Sequence, residues 1–153
     1  MKKKPFNMKI INANETLVLR HKILRPHQCI EKCVFEGDEL ENTFHLGGYM
    51  EDDLVAILSC CQQNNIQWND GYQWRIRGMA VTSELQGQGY GQQLVTRALF
   101  HLRDHSLHSR PIRVWLNARE NARHFYEKLG FELIGEPFEI EGIGFHWLMT
   151  QQV

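Results

Sequence analysis

No stretch of the chain approaches the roughly 20 consecutive apolar residues that a membrane-spanning helix needs. The basic opening Lys2-Lys3-Lys4 is not followed by the roughly 7–15 apolar residues of a secretory signal. Both absences predict a cytoplasmic protein that stays off membranes. An excess of one charge is also missing, with 17 Lys and Arg against 18 Asp and Glu, so no broad field draws the molecule to nucleic acid. Cysteine is scarce, at four residues. Cys60 and Cys61 are adjacent in an apolar run, where strand geometry sends them to opposite faces, and they read as small core hydrophobes. Cys29 and Cys33 lack the second Cys or His pair that would complete a zinc site, so no metal or redox role is expected there. Internal repeats, low-complexity tracts and Pro/Gly/Ser linkers are absent, which predicts one domain over residues 1–153.

What is present suits a globular fold. Hydrophobic residues make up 42% and charged residues 23%, within ordinary soluble usage, and 153 residues suffice for a core without staples. Met8 to Asn12 reads as a first strand, and Asn14 as the cap of a helix carrying Leu17, Leu19, Ile23 and Leu24 toward Pro26. A short second helix is expected around Cys29 to Val34, then an acidic loop. Phe44–Met50 and Leu54–Gln62 read as antiparallel strands about a tight turn, and Gln73–Val81 as the next strand. From Gly91 on, Leu94, Val95, Ala98, Leu99 and Leu102 repeat at helical spacing up to about His105. A buried strand at Ile112–Leu116 follows, then a helix at Asn121–Leu129 closed by Gly130, and strands at Phe131–Ile134 and Phe145–Thr150. The order βαα-βββ-α-β-α-ββ predicts an α/β or α+β sandwich: a mixed sheet with helices on its faces.

The densest signal is Gln86-Gly87-Gln88-Gly89-Tyr90-Gly91, between a strand and a helix. Such a turn gathers free backbone N–H groups and the positive end of the helix dipole at one point, and its glycines let a pyrophosphate approach the backbone. A dinucleotide fingerprint is excluded by the Gly-x-Gly-x-Gly spacing and its place late in the chain, and a Walker loop by the missing lysine. As a bare turn, the same glycines would serve geometry alone.

Here the sequence resembles the GNAT superfamily of N-acetyltransferases, whose signature is Gln or Arg, two residues, Gly, one residue, then Gly or Ala after a strand. Residues 86–91 match every specified position. Gly78-Met79-Ala80-Val81 looks like the family's central strand, and residues 121–131 (NARHFYEKLGF) are similar to its second signature. The resemblance is specific over Arg77–Phe131. It implies a mixed, mostly antiparallel central sheet with helices on both faces, as in acyl-coenzyme A N-acyltransferases, and acetyl-coenzyme A as cosubstrate with no metal.

The resemblance also implies residue roles. Backbone N–H groups from Gln86, Gly87, Gln88, Gly89, Tyr90, Gly91 and Gln92 would hold the pyrophosphate. Met79 and Val81 would pair by backbone with the pantetheine arm. Asn121, and by a similar contact Asn117, would hydrogen-bond that arm, although Asn121 equally suits a helix cap. Tyr126 would protonate the departing thiolate, while its spacing from Ala122 and Leu129 equally suits a packed helix face.

Attack by an amine requires loss of a proton, and His45, Glu36, Asp38 and His146 are the candidate bases. Glu31, Glu36, Asp38, Glu39 and Glu41 cluster in the segment that borders the acceptor site in the resembled fold, which predicts a cationic acceptor. His101 and His105 are expected on a solvated helix face. The expected activity is acetyl transfer to a primary amine on a small molecule or peptide, with room left for a homodimer. The rival reading is a non-catalytic acyl-coenzyme A-binding regulatory module.

Overall fold

The computed structural model describes residues 4–69, 71–105 and 112–153. Seven strands form one sheet: β1 (Phe6–Ile11), β2 (Phe44–Met50), β3 (Asp53–Gln62), β4 (Gln73–Val81), β5 (Arg113–Arg119), β6 (Glu132–Ile140) and β7 (Gly144–Gln152). Their spatial order is β1-β2-β3-β4-β5-β7-β6, and every pairing is antiparallel except β4 with β5. The mixed, mostly antiparallel sheet expected from the sequence is therefore the one observed.

Alternation along the strands divides the sheet into two unlike faces. One carries Leu46, Ala56, Leu58, Cys60, Ile76, Val81, Val114, Leu116, Ala118 and Met149. Against it pack the apolar stripe Leu94, Val95, Ala98 and Leu102 of α2 (Tyr90–His105) and Tyr126 of α3 (Arg123–Lys128). Burying such a stripe stabilises a helix far more than its propensities do. The other face is covered over β1 to β4 by α1 (Leu17–Leu19) and its flanking turns, through Ile11, Leu19, Ile57 and Ala80. Cys60 and Cys61 point to opposite faces, and both are buried and outside any disulfide.

Several boundaries differ from expectation for identifiable reasons. The first strand spans residues 6–11, and the chain turns at Asn12, whose N–H donates to Glu15 Oε1 at 3.0 Å; Asn14 lies inside the turn. The predicted first helix is a 3₁₀ turn, one turn of α-helix and a π turn over Arg20–Leu24, and the second is a 3₁₀ turn at Ile30–Cys33. β6 runs to Ile140 because a bulge between Ile134 and Phe138 absorbs Gly135 and Pro137, which read as a break in one dimension. Proline is tolerated there because β6 is the sheet edge. Gly130, at φ +95°, ends α3 as expected, with Phe131 N–H donating back to the Tyr126 carbonyl at 3.1 Å.

Candidate active site

The glycine-rich turn ends in a helix of 16 residues whose first hydrogen bond from outside runs from Gln93 N–H to the Gly89 carbonyl, 3.1 Å. Among the described residues the N–H groups of Gly87, Gln88, Gly89, Gly91 and Gln92 have no protein acceptor, so five donors converge at the positive end of α2. Gly87 and Gly89 adopt φ +77° and +92°, and a Cβ built on either would meet nothing within 4 Å. The third glycine does another job: a Cβ on Gly91 would lie 3.3 Å from Phe125 Cζ and 3.5 Å from Met79 Cε. It lets the helix start press against β4 and α3. The Tyr90 ring is core, 4.6 Å from that of Phe6.

Beside this turn the sheet is split. β4 and β5 pair only through Gln73–Arg75 with Arg113–Trp115, and beyond that point neither strand has the other as a partner. Gly78, at φ +64°, makes a bulge in β4, where the β3 register slips by one residue. Thr82 gives its N–H to Val55 of β3 at 2.9 Å, so by alternation Met79 and Val81 direct their backbone groups to the split side. Gln86 Nε2 caps the Val81 carbonyl at 2.9 Å, tying the first residue of the turn to the split edge. The gap thus offers unpaired strand backbone next to a cluster of free N–H groups.

Tyr126 sits behind the turn, buried, its ring edge-on to those of Phe125 (4.9 Å) and Phe131 (5.7 Å). Burial pushes its phenol well above the ordinary tyrosine value, so it carries its proton at any working pH. Among the described residues its hydroxyl makes no hydrogen bond. Asn121 is exposed in the 3₁₀ turn Glu120–Ala122, and no side-chain cap is formed at either helix start nearby. Asn117 faces the other way. Its side chain joins Trp115, Ile134 and Leu148 in a cleft of about 390 Å³ on the opposite face, away from the turn and Tyr126.

That opposite face holds a polar constellation that sequence reasoning missed. Arg20 is fully buried and holds both Asp38 oxygens (2.6 and 2.9 Å), the Cys33 carbonyl and Ser59 Oγ. Ser59 Oγ in turn hydrogen-bonds His45 Nδ1 at 2.6 Å, and His45 Nε2 donates to the Asp38 carbonyl at 3.0 Å. This closed network engages two of the four base candidates, Asp38 and His45. Glu36 is exposed. His146 differs: it is buried, its Nδ1 donates to the Gly144 carbonyl at 2.8 Å, and Nε2 is left as the acceptor nitrogen. Burial, with the charges of Arg119 and Arg75, lowers its pKa below the ordinary histidine value, more than offsetting the Gly144 hydrogen bond.

Around this network stand more arginines. The guanidinium carbons of Arg20, Arg77 and Arg25 lie 3.8, 4.4 and 4.9 Å from the centre of one ring, Phe35. Arg75 lies over the Trp115 indole at 4.9 Å. Burial pushes Arg75 down to about 10 and also lowers Arg77 and Arg119, with neighbouring arginines adding to the shift. The signal in the sequence was the alternation Trp74-Arg75-Ile76-Arg77, which puts both cations on one face of a strand that reads as buried. By contrast Glu31, Glu36, Glu39 and Glu41 are solvent-exposed, and the only buried acid of that segment, Asp38, is neutralised by Arg20. The expected acidic wall is not what lines this face. His105 is exposed as anticipated, whereas His101 is half-buried, stacked on His105 at 4.1 Å and tilted against Phe44 at 4.3 Å. Among the described residues no group of three or more His, Cys, Asp or Glu could hold a metal ion, and no helix is long and apolar enough to cross a membrane.

A split mixed sheet with a glycine-rich turn beside the split defines an acyl-coenzyme A N-acyltransferase architecture. Comparison with known proteins agrees. Residues 15–150 match the model of the acetyltransferase (GNAT) domain, and the chain belongs to that family of acyltransferase enzymes. It is 37% identical over 142 residues to the uncharacterized N-acetyltransferase YitI of Bacillus subtilis (strain 168), covering 93% of each chain. Its fold is similar to that of Escherichia coli ElaA, with TM-score 0.75 and 22% identity over 96% of this chain and 99% of that one. It is also similar to Arabidopsis thaliana NAA60 in complex with acetyl-CoA, with TM-score 0.72 and 12% identity over 97% and 99%.

Proposed function

We propose that this enzyme transfers the acetyl group of acetyl-coenzyme A to a primary amine by direct attack. The observation that carries the reading is the juxtaposition of the split between β4 and β5 with the N–H groups of Gly87, Gln88, Gly89, Gly91 and Gln92, which have no acceptor among the described residues. The pyrophosphate would lie on Gly87, Gln88, Gly89, Gly91 and Gln92, where backbone donors and the helix dipole favour negative charge. Gln86 would brace the turn against Val81, and the Tyr90 ring would anchor the start of the helix in the core. The pantetheine arm would enter the split and add to β4 through Met79 and Val81 as an extra strand. Asn121, exposed at the mouth of α3, is available to the same arm, whereas Asn117 faces the acceptor side.

The amine nitrogen attacks the thioester carbon, the C–S bond breaks and the electron pair leaves on sulfur. Tyr126, held neutral by burial, gives its proton to the departing thiolate. The proton shed by the amine goes to His146 Nε2, directly or through water, because the other candidate bases are engaged or exposed. A backbone N–H at the bulge would polarise the carbonyl as negative charge develops. Support for acetyl-coenzyme A comes also from the family, one of whose structures, that of NAA60, contains it. The test is thiol release from acetyl-coenzyme A across a panel of primary amines. Coenzyme A binding without turnover on any amine would replace this reading with a non-catalytic binding module.

A further inference from the structure

We infer that the amine acceptor carries a carboxylate or phosphate group, bound by Arg75, Arg77 and Arg119 on the sheet face opposite α2. The inference names a substrate class for the transfer proposed above and rests on that reading.

The argument starts from charge. Arg75 and Arg77 project from β4 just before the Gly78 bulge, and Arg119 ends β5, so the three flank the split on one face. Arg77 and Arg25 share the Phe35 ring, which brings a fourth guanidinium close. Among the described residues none of these four pairs with a carboxylate, because Asp38 is spent on Arg20. Their protein contacts are modest. Arg25 donates to the Lys32 carbonyl and Arg119 to the Leu24 carbonyl, and Arg75 reaches Gln63 Oε1 only at 3.4 Å. Among the described residues Arg75 Nε is buried with no hydrogen-bond partner.

Gathering partly buried cations and leaving a buried donor unmade both cost free energy, and an oxyanion at this point would relieve both. Guanidinium forks suit planar carboxylates and phosphates in two-pronged geometry. The neighbouring cleft of about 390 Å³ adds an apolar surface from Trp115, Ile134, Phe138 and Leu148, with Asn117 as a polar point. Among the described residues its one carboxylate, Glu136, stands on β6, two strands from β5. An acceptor with an anionic end, an apolar or neutral body and an amine near the split would fit this arrangement.

Matched acceptors decide the matter: phenylalanine against phenethylamine, and glucosamine 6-phosphate against glucosamine, read as kcat/KM by thiol release. The anionic member of at least one pair should be preferred by about 10–100-fold. Arg77→Gln should erase the preference, and Arg77→Lys should retain part of it; Arg119→Gln carries the same comparison if Arg77→Gln does not fold. Equal rates, or preference for the neutral members, would overturn the inference. So would variants that weaken calorimetric coenzyme A binding as much as they lower kcat/KM, since the anion would then be the cosubstrate's own phosphate. If no amine is acetylated while coenzyme A still binds, the transfer reading fails by itself. The anion site is then judged by melting temperature in inorganic phosphate against chloride at equal ionic strength. A rise in the wild type that is lost in Arg119→Gln supports the site, and no difference removes it.

Discussion

Arg20 and Asp38 meet in a buried two-pronged ion pair, Nη1 to Oδ2 at 2.6 Å and Nη2 to Oδ1 at 2.9 Å. It joins the π turn to the loop before β2 and, through Ser59, to the centre of the sheet. Removing one partner leaves the other charge buried and uncompensated, so Asp38→Asn or Arg20→Ala should cost about 3–5 kcal/mol in urea unfolding. Burial alone would raise the Asp38 pKa, but hydrogen bonds from Arg20 and Phe35 N–H, with the charges of Arg20 and His45, more than offset it. The folded value is therefore below the unfolded one. The stabilisation is present in full above about pH 4 and is lost as pH falls from there through the lowered folded value. A wild-type acid transition that does not move in the Asp38→Asn variant would contradict this.

Gly89 and Gly91 of the turn should respond differently to substitution. Gly89→Asp places a carboxylate and a left-handed, non-glycine residue where the pyrophosphate is proposed to lie, and should abolish coenzyme A binding in a protein that still folds. Gly91→Leu should instead lower stability by about 1–3 kcal/mol, because its side chain would drive into Phe125 and Met79. Calorimetric titration and melting curves on both variants separate the anion site from the packing contact.

For Tyr126 the outcome depends on the hydroxyl. Tyr126→Phe keeps the rings of Phe125 and Phe131 in contact and should lower kcat by about 10²–10³ with little change in melting temperature. The deficit should shrink as pH rises, since a thiolate of pKa near 8–9 then departs more readily unprotonated. Tyr126→Ala should also cost about 3–5 kcal/mol through the cavity it opens. A fully active Tyr126→Phe enzyme would remove the residue from the chemistry.

The lowered pKa of His146 gives the acid limb of the rate profile a direction. If Nε2 is the base, kcat/KM should rise with pH through a midpoint below the usual histidine value near 6.5, and the limb should vanish in His146→Gln with rate lost across the range. A limb that persists unchanged in the variant would assign the proton to water or to the acceptor itself.

Local sequence determined the parts of this protein whose chemistry is short-range. The turn at 86–91 was legible because glycine is favoured at the positive φ found at Gly87 and Gly89, and the α2 stripe because helical periodicity is a local property. β4 was read at its observed bounds, Gln73–Val81, from residue types alone. The resemblance carried the family from two signatures, and the 15–150 match agrees with it.

Other features exist only after folding. The split between β4 and β5 is a relation between strands whose starts lie 40 residues apart, set by where pairing stops rather than by any residue type. The acidic segment looked like a wall for a cation, yet Asp38 turns inward to Arg20, 18 positions away, and its neighbouring glutamates stay in water. Arg75, Arg77 and Arg119 acquire a common setting only when the sheet brings two strands together and places them on one face, with no carboxylate paired to them among the described residues. Charge is written in the sequence, but its sign at a site depends on which charges are neutralised by contact. Contacts at such separations are decided by burial and chain topology.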